Sequence, residues 1–241
     1  MDRKFLTPIL LALILTFTGC AWIDNLIGGK QRVKNDPVAL YQAGVEAYNR
    51  GRFSRAVEYF TRVKERFPLH ELALMAEIGI ADAYYSDKEY ANAELAYTDF
   101  LNLHPTHEHI PYVIYQIGMC HYMNMLSIDR DQTETVRALK EFEQVIARFP
   151  TSKFAVLAEE KLRECRKRLA AKEFYVGQFY FRRGLYQSAV KRFEYLLSHF
   201  SGLGYDYQAK VFLAESHKRL AKIKAQAPDT NERRMAPTPE K

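Results

Sequence analysis

Apolar and small side chains recur along this chain in a register much longer than one helical turn. Small residues stand at Ala56, Ala93, Ala138 and Ala189, and four positions after each comes a large ring, Phe60, Tyr97, Phe142 or Phe193. Residues four apart share one helix face, so each pair predicts a helix with a small and a large side chain stacked on its buried side. Eight positions after the rings stand Pro68, Pro105, Pro150 and Ser201, which close the segments Arg66-Phe67-Pro68, Leu103-His104-Pro105, Arg148-Phe149-Pro150 and His199-Phe200-Ser201. Proline cannot continue a helix, so three of the four segments carry a built-in stop.

A second set of small residues completes the unit. Gly44, Ala81 and Gly177 lie twelve positions before the small residues of the first set, and Gly118 lies eight further from Ala138. The extra eight fall in the polar stretch NMLSIDRDQTETV, which suits a loop or a helix extension. Each unit therefore reads as two helices meeting at small residues where their axes approach, and the whole resembles the tetratricopeptide repeat. Its turn in the first repeat is Arg50-Gly51-Arg52-Phe53. An added helix, about Phe154 to Ala170, precedes the first helix of repeat four, and a last helix, Tyr205 to Lys222 with Ala214 as its small residue, finishes the stack. The expected fold is an all-α solenoid of about five helix pairs over residues 37–222.

The first helix of each repeat also carries an aromatic face. Three residues before its small position stand Tyr41, Ile78, Tyr115 and Phe174, and four after it stand Tyr48, Tyr85, Tyr122 and Phe181. Positions seven apart lie almost two turns along one face. In this repeat type that face lines the concave side, so Tyr41, Tyr48, Ile78, Tyr85, Tyr115 and Tyr122 are expected to form a semi-apolar peptide groove with hydroxyls able to meet backbone groups.

Composition changes the picture mainly at the ends. Asp2-Arg3-Lys4 precedes the apolar run Phe5 to Phe17, which is too short for a membrane-spanning helix and ends in Thr18-Gly19-Cys20. This resembles a lipoprotein signal peptide over residues 1–19, with Cys20 the lipidated first residue of the mature chain. Residues 20–36 then read as a tether and residues 223–241, with three prolines, as a disordered tail. The formal net charge is +6, spread along the chain with no long Lys/Arg block, which gives no support to nucleic-acid binding.

Candidate chemistry is sparse. His104-Pro105-Thr106-His107-Glu108-His109 lacks the helical spacing of a zinc motif and sits at a repeat junction, where Thr106 is placed to cap the next helix. Cys120 and Cys165 fall in expected helices as small hydrophobes. The sequence calls for no cofactor, no metal and no catalytic residue.

Together, the lipobox, the repeats, the His104-Pro105-Thr106-His107 run and the pattern Arg168-Leu169-Ala170-x-x-Glu173-x-x-Val176 resemble the BamD family of outer-membrane β-barrel assembly lipoproteins. Phe17 in the lipobox, Ser201 in place of proline and the short tail depart from that family's pattern. The resemblance implies a non-enzymatic scaffold on the periplasmic face of the outer membrane. It also implies docking to a POTRA domain of a BamA-like insertase, contact with unfolded barrel precursors and neighbouring assembly lipoproteins. By motif match Arg192 would anchor the insertase, with Arg182 and Arg183 beside it. Two other readings remain open on the residues alone: an outer-membrane adaptor of the same fold for secretion, pilus or cell-wall machinery, and a hydrolase built on the histidine cluster.

Overall fold

The computed structural model describes residues 34–226, which form nine α-helices. In chain order these are α1 (Pro37–Asn49), α2 (Phe53–Arg66), α3 (Glu71–Ser86), α4 (Tyr90–Leu103), α5 (Ile110–Met123), α6 (Thr133–Arg148), α7 (Lys153–Arg182), α8 (Tyr186–His199) and α9 (Asp206–Gln226). Each helix packs chiefly on its chain neighbours, and weaker contacts join α1 to α3, α5 to α7 and α7 to α9, the connectivity of a solenoid.

Local chemistry sets the helix starts. Asp36 accepts the Ala39 amide at 2.9 Å with Pro37 in the first helical turn. The His70 ring takes the Leu72 amide at 3.1 Å, and the Ser152 hydroxyl takes that of Phe154 at 3.2 Å. The turns inside repeats one, two and four share one geometry: Gly51 (φ +69°), Lys88 (φ +64°) and Gly184 (φ +74°) reverse the chain. Lys88 holds the left-handed conformation that glycine adopts freely at the other two.

The small-to-large register is the packing rule itself. A β-carbon on Gly44 would lie 2.6 Å from Cε1 of Phe60, one on Gly118 2.7 Å from Cε1 of Phe142, and one on Gly177 2.6 Å from Cε1 of Phe193. No real β-carbon sits that close, so these three glycines are required by contact with the ring of the second helix. Phe60 is gripped from its other edge as well, since a β-carbon on Gly79 of the next repeat would be 2.8 Å from Cε2.

Three details depart from the sequence reading. The added helix expected over Phe154 to Ala170 is not separate: α7 runs unbroken for 30 residues, because nothing between Lys153 and Arg182 is a proline and the one glycine is a packing residue. Its first half buries Ala155, Ala158 and Cys165 in the cluster shared with repeats two and three, and its second half sets Phe174 and Gly177 against α8. The described solenoid thus has nine helices, the fused α7 standing for two of the ten that about five pairs would have. Ala214 is exposed, while Ala209 and Ser216 are buried. Its register position needs the ring of a following second helix, and none follows α9 among the described residues. Finally, α9 extends to Gln226, past the Lys222 boundary. The expected signal peptide, Cys20 and most of the expected tether lie outside the described residues, as does the chain beyond Gln226.

Candidate protein-docking surfaces

The aromatic face divides into an open part and a covered part. Tyr41, Tyr48 and Ile78 come together, with Val45, Met75 and Asp82, around a cleft of about 140 Å³ between α1 and α3. Ile78 is only 4% exposed and serves as its floor. The Tyr48 hydroxyl pairs with Ser86 Oγ at 2.8 Å, and the Tyr41 ring rests on Phe60 at 5.4 Å. Tyr85 stands beyond the cleft against Tyr90, 5.4 Å between rings, its phenol pushed up to about 12 by burial.

At repeat three the face is partly occupied by α7. Tyr115 packs on Phe154 at 5.8 Å, the Tyr122 hydroxyl donates to Glu164, and Lys161 Nζ sits 4.8 Å above the Tyr122 ring. In repeat four α9 covers it: Phe212 lies 5.9 Å from Phe174 and 5.1 Å from Phe181. The six residues of the expected groove therefore do not form one continuous channel. Repeats one and two hold its open end.

Two polar nodes escaped the sequence reading. The phenols of Tyr97 and Tyr112 both donate to Oδ1 of Asp82 at 2.5 Å, and Gln116 donates to both phenols in turn. Burial pushes the Asp82 carboxyl above its usual range, against the opposing pull of the two phenol donors and His109. The second node is His121, 4% exposed, with Nδ1 2.8 Å from Glu134 and Nε2 3.6 Å from Glu94, which ties α4, α5 and α6 together. A signal for Asp82 was present, as one of two acids, with Glu77, on the otherwise apolar run Leu72 to Tyr85; its two phenol partners, from other helices, were not legible.

The histidine cluster is used structurally. His104 Nε2 meets Glu77 at 3.1 Å, and the His107 ring accepts the His109 amide at 3.2 Å. Desolvation and then the neighbouring His109 hold the His107 ring below its usual pKa. Thr106 does not cap α5, which begins after His109 without a side-chain cap. Cys120 and Cys165 are buried free thiols, both pushed up to about 12 by burial.

The arginines expected to dock a partner lie on repeat four but do not come together. Arg182 and Arg183 are exposed at the close of α7, with the Arg183 guanidinium 5.9 Å over the Phe179 ring. Arg192 of α8 is not a free charge: its Nη1 reaches Glu173 Oε2 at 3.1 Å, its side chain 43% exposed and that of Glu173 16%. Glu173 belongs to the motif beginning at Arg168, and Arg168 itself donates to the Leu126 carbonyl at 2.7 Å, pinning the long loop of repeat three. Lys172 does the same at the Arg130 carbonyl, 3.2 Å away.

Residues 33–232, which span every described helix, match the sequence profile of the YfiO family, described as outer membrane lipoprotein. The chain belongs to this family. Among YfiO-like relatives, the outer membrane protein assembly factor BamD of Rickettsia prowazekii is 29% identical over 221 residues, covering 89% of this chain and 85% of that protein. The factor of the same name from Neisseria meningitidis serogroup B is 28% identical, covering 76% and 72%. Among solved structures, the complex of the TPR2AB domain of yeast Sti1 with pHSP90 overlaps 76% of this chain and 70% of its own at 16% identity and a TM-score of 0.46. The YfiO relatives are named as assembly factors, and this chain is a repeat scaffold rather than an enzyme.

Proposed function

We propose that this protein is a non-enzymatic, lipid-anchored scaffold of an outer-membrane β-barrel assembly complex, held at the periplasmic face through Cys20. The observation that carries the reading is the match along nearly the whole chain to proteins named as outer membrane protein assembly factors. Two surfaces at opposite ends of the solenoid support a division of labour. The open cleft of Tyr41, Tyr48 and Ile78, with Tyr85 beside it, suits unfolded barrel precursors, since it offers apolar area edged by hydroxyls. Arg182, Arg183 and Arg192 suit docking to an acidic surface on a POTRA domain of a BamA-like insertase, where opposite charge sets register and partner choice. Other assembly lipoproteins complete the expected set of partners.

The test uses the mature chain and two ligands, the insertase's periplasmic domains and a crosslinkable precursor peptide. The double variant Arg182→Glu/Arg183→Glu, which touches only exposed side chains, weakens insertase binding by about tenfold or more and leaves precursor crosslinking intact. Arg192→Glu does the same and also sets two carboxylates face to face at Glu173, so its melting temperature is read alongside. Tyr48→Ala with Tyr85→Ala gives the reverse pattern. Normal insertase binding by the arginine variants, or loss of insertase with retained precursor in the tyrosine variant, overturns the assignment.

A further inference from the structure

The cleft between α1 and α3 holds a carboxyl group that no lysine or arginine pairs with among the described residues. Asp82 lines it, and its Oδ1 is already taken by the phenols of Tyr97 and Tyr112. Oδ2 accepts no hydrogen bond from the described residues, so it is the oxygen left for a guest. No lysine or arginine lines the cleft, whose other walls are Tyr41, Val45, Tyr48, Met75 and Ile78 with the Phe60 ring behind them. Among the described residues, His109 is the one basic group that acts on Asp82.

A carboxylate among apolar walls is poorly solvated, and a cation brought to it restores what water would have supplied. The aliphatic stems of lysine and arginine lie comfortably along apolar and aromatic surface with the charged head beyond, and tyrosine faces add attraction for a cation. A C-terminus or an acidic side chain would instead bring a second carboxylate against Asp82. We propose that this cleft is a socket for one basic side chain, lysine or arginine, from an internal segment of an extended client polypeptide, with Asp82 as the ion-pairing residue that sets the selectivity. The inference rests on the reading that repeats one and two bind precursor segments, and adds to it the chemistry of the residue they select.

The charge also makes the socket sensitive to pH. The titratable groups around Asp82 are Tyr41 from α1, Tyr97 from α4, Tyr112 from α5 and His109 from the turn before α5. The three phenols are all held above their usual range, first by burial, and stay neutral. A cationic guest favours the ionised carboxylate that burial disfavours, so its affinity falls as pH drops through the raised titration of Asp82.

The experiment measures fluorescence anisotropy of the mature chain with C-terminally amidated ten-residue peptides, aromatic at alternate positions and differing at one central site. Lysine at that site binds about tenfold tighter than norleucine, and glutamate binds more weakly than either. Asp82→Asn keeps an acceptor for both tyrosines, and it reduces the lysine preference to within about twofold. In the wild-type chain the lysine-to-norleucine ratio shrinks on acidification, a readout that needs no variant. Equal binding of the three peptides overturns the socket while leaving precursor binding in place; no binding of any peptide overturns both.

Discussion

Gly177 carries its side-chain requirement in a single distance, the 2.6 Å that would separate its β-carbon from the Phe193 ring. Phe193 is fully buried and cannot swing aside without opening the layer between α7 and α8. Gly177→Ala therefore gains helix propensity, worth about 1 kcal/mol, and loses more to overpacking, at about 1 to 3 kcal/mol. A net loss of about 1 kcal/mol lowers the melting temperature of a chain this size by about 2 to 4 °C. The same change at Gly184, where φ is +74° and nothing lies within 4 Å, loses stability through backbone strain alone. Thermal melts of both variants check the two mechanisms, and an unchanged melt for Gly177→Ala contradicts the packing described for repeat four.

At the level of elements, α7 does what a tetratricopeptide array usually leaves to a turn. It belongs to repeat three along its first half and to repeat four along its second, so the two ends of the solenoid are joined by continuous helix rather than by a loop. Ala171 sits at the change-over beside buried Ala170. Ala171→Pro removes a backbone donor and collides with the preceding turn, at about 3 kcal/mol or more. The expected outcome is a melt in which repeat four, followed by proteolysis of α8 and α9, opens before repeats one to three. A single coincident transition would show that α7 does not transmit stability between the halves. The ties from Arg168 and Lys172 to the loop carbonyls add to the argument, because they too depend on α7 keeping its course.

For the whole molecule, the middle of the stack is its most protected region. Cys120 and Cys165 lie in the core cluster that spans repeats two and three and the first half of α7, each with no exposed surface. Burial pushes both thiols up to about 12. At pH 8 a thiol of that kind is ionised to only about one part in ten thousand, far below an ordinary cysteine, and the thiolate is the reactive form. Alkylation at these two positions, followed by peptide mass spectrometry, is expected to be negligible in the native chain and to rise together with loss of helical circular dichroism in denaturant. Rapid labelling under native conditions would mean that the centre of the solenoid opens locally.

The repeat register, the all-α class and the identity of the packing glycines were legible in the chain itself, because close helix contact demands a small residue at a fixed distance from a large one. Gly44, Gly118 and Gly177 needed only counting from Phe60, Phe142 and Phe193. What counting could not supply was anything that depends on a neighbour distant in sequence. Gly79 stands outside the counted register and only the packed fold sets Phe60 against it, and Ala214 fitted the register while lacking the helix that gives the register its meaning. The tyrosine positions fall on the first helix of each repeat, yet only the course of α7 and α9 decided that in repeats three and four these rings are packed over by other helices. Asp82 and Arg192 show the same limit for charge: a sequence gives the sign, and the tertiary structure decides whether a carboxylate lines a cleft with no lysine or arginine beside it or a guanidinium already has a partner. Helix periodicity is local and written in the chain, whereas burial and pairing are sums over neighbours that only the packed fold brings together.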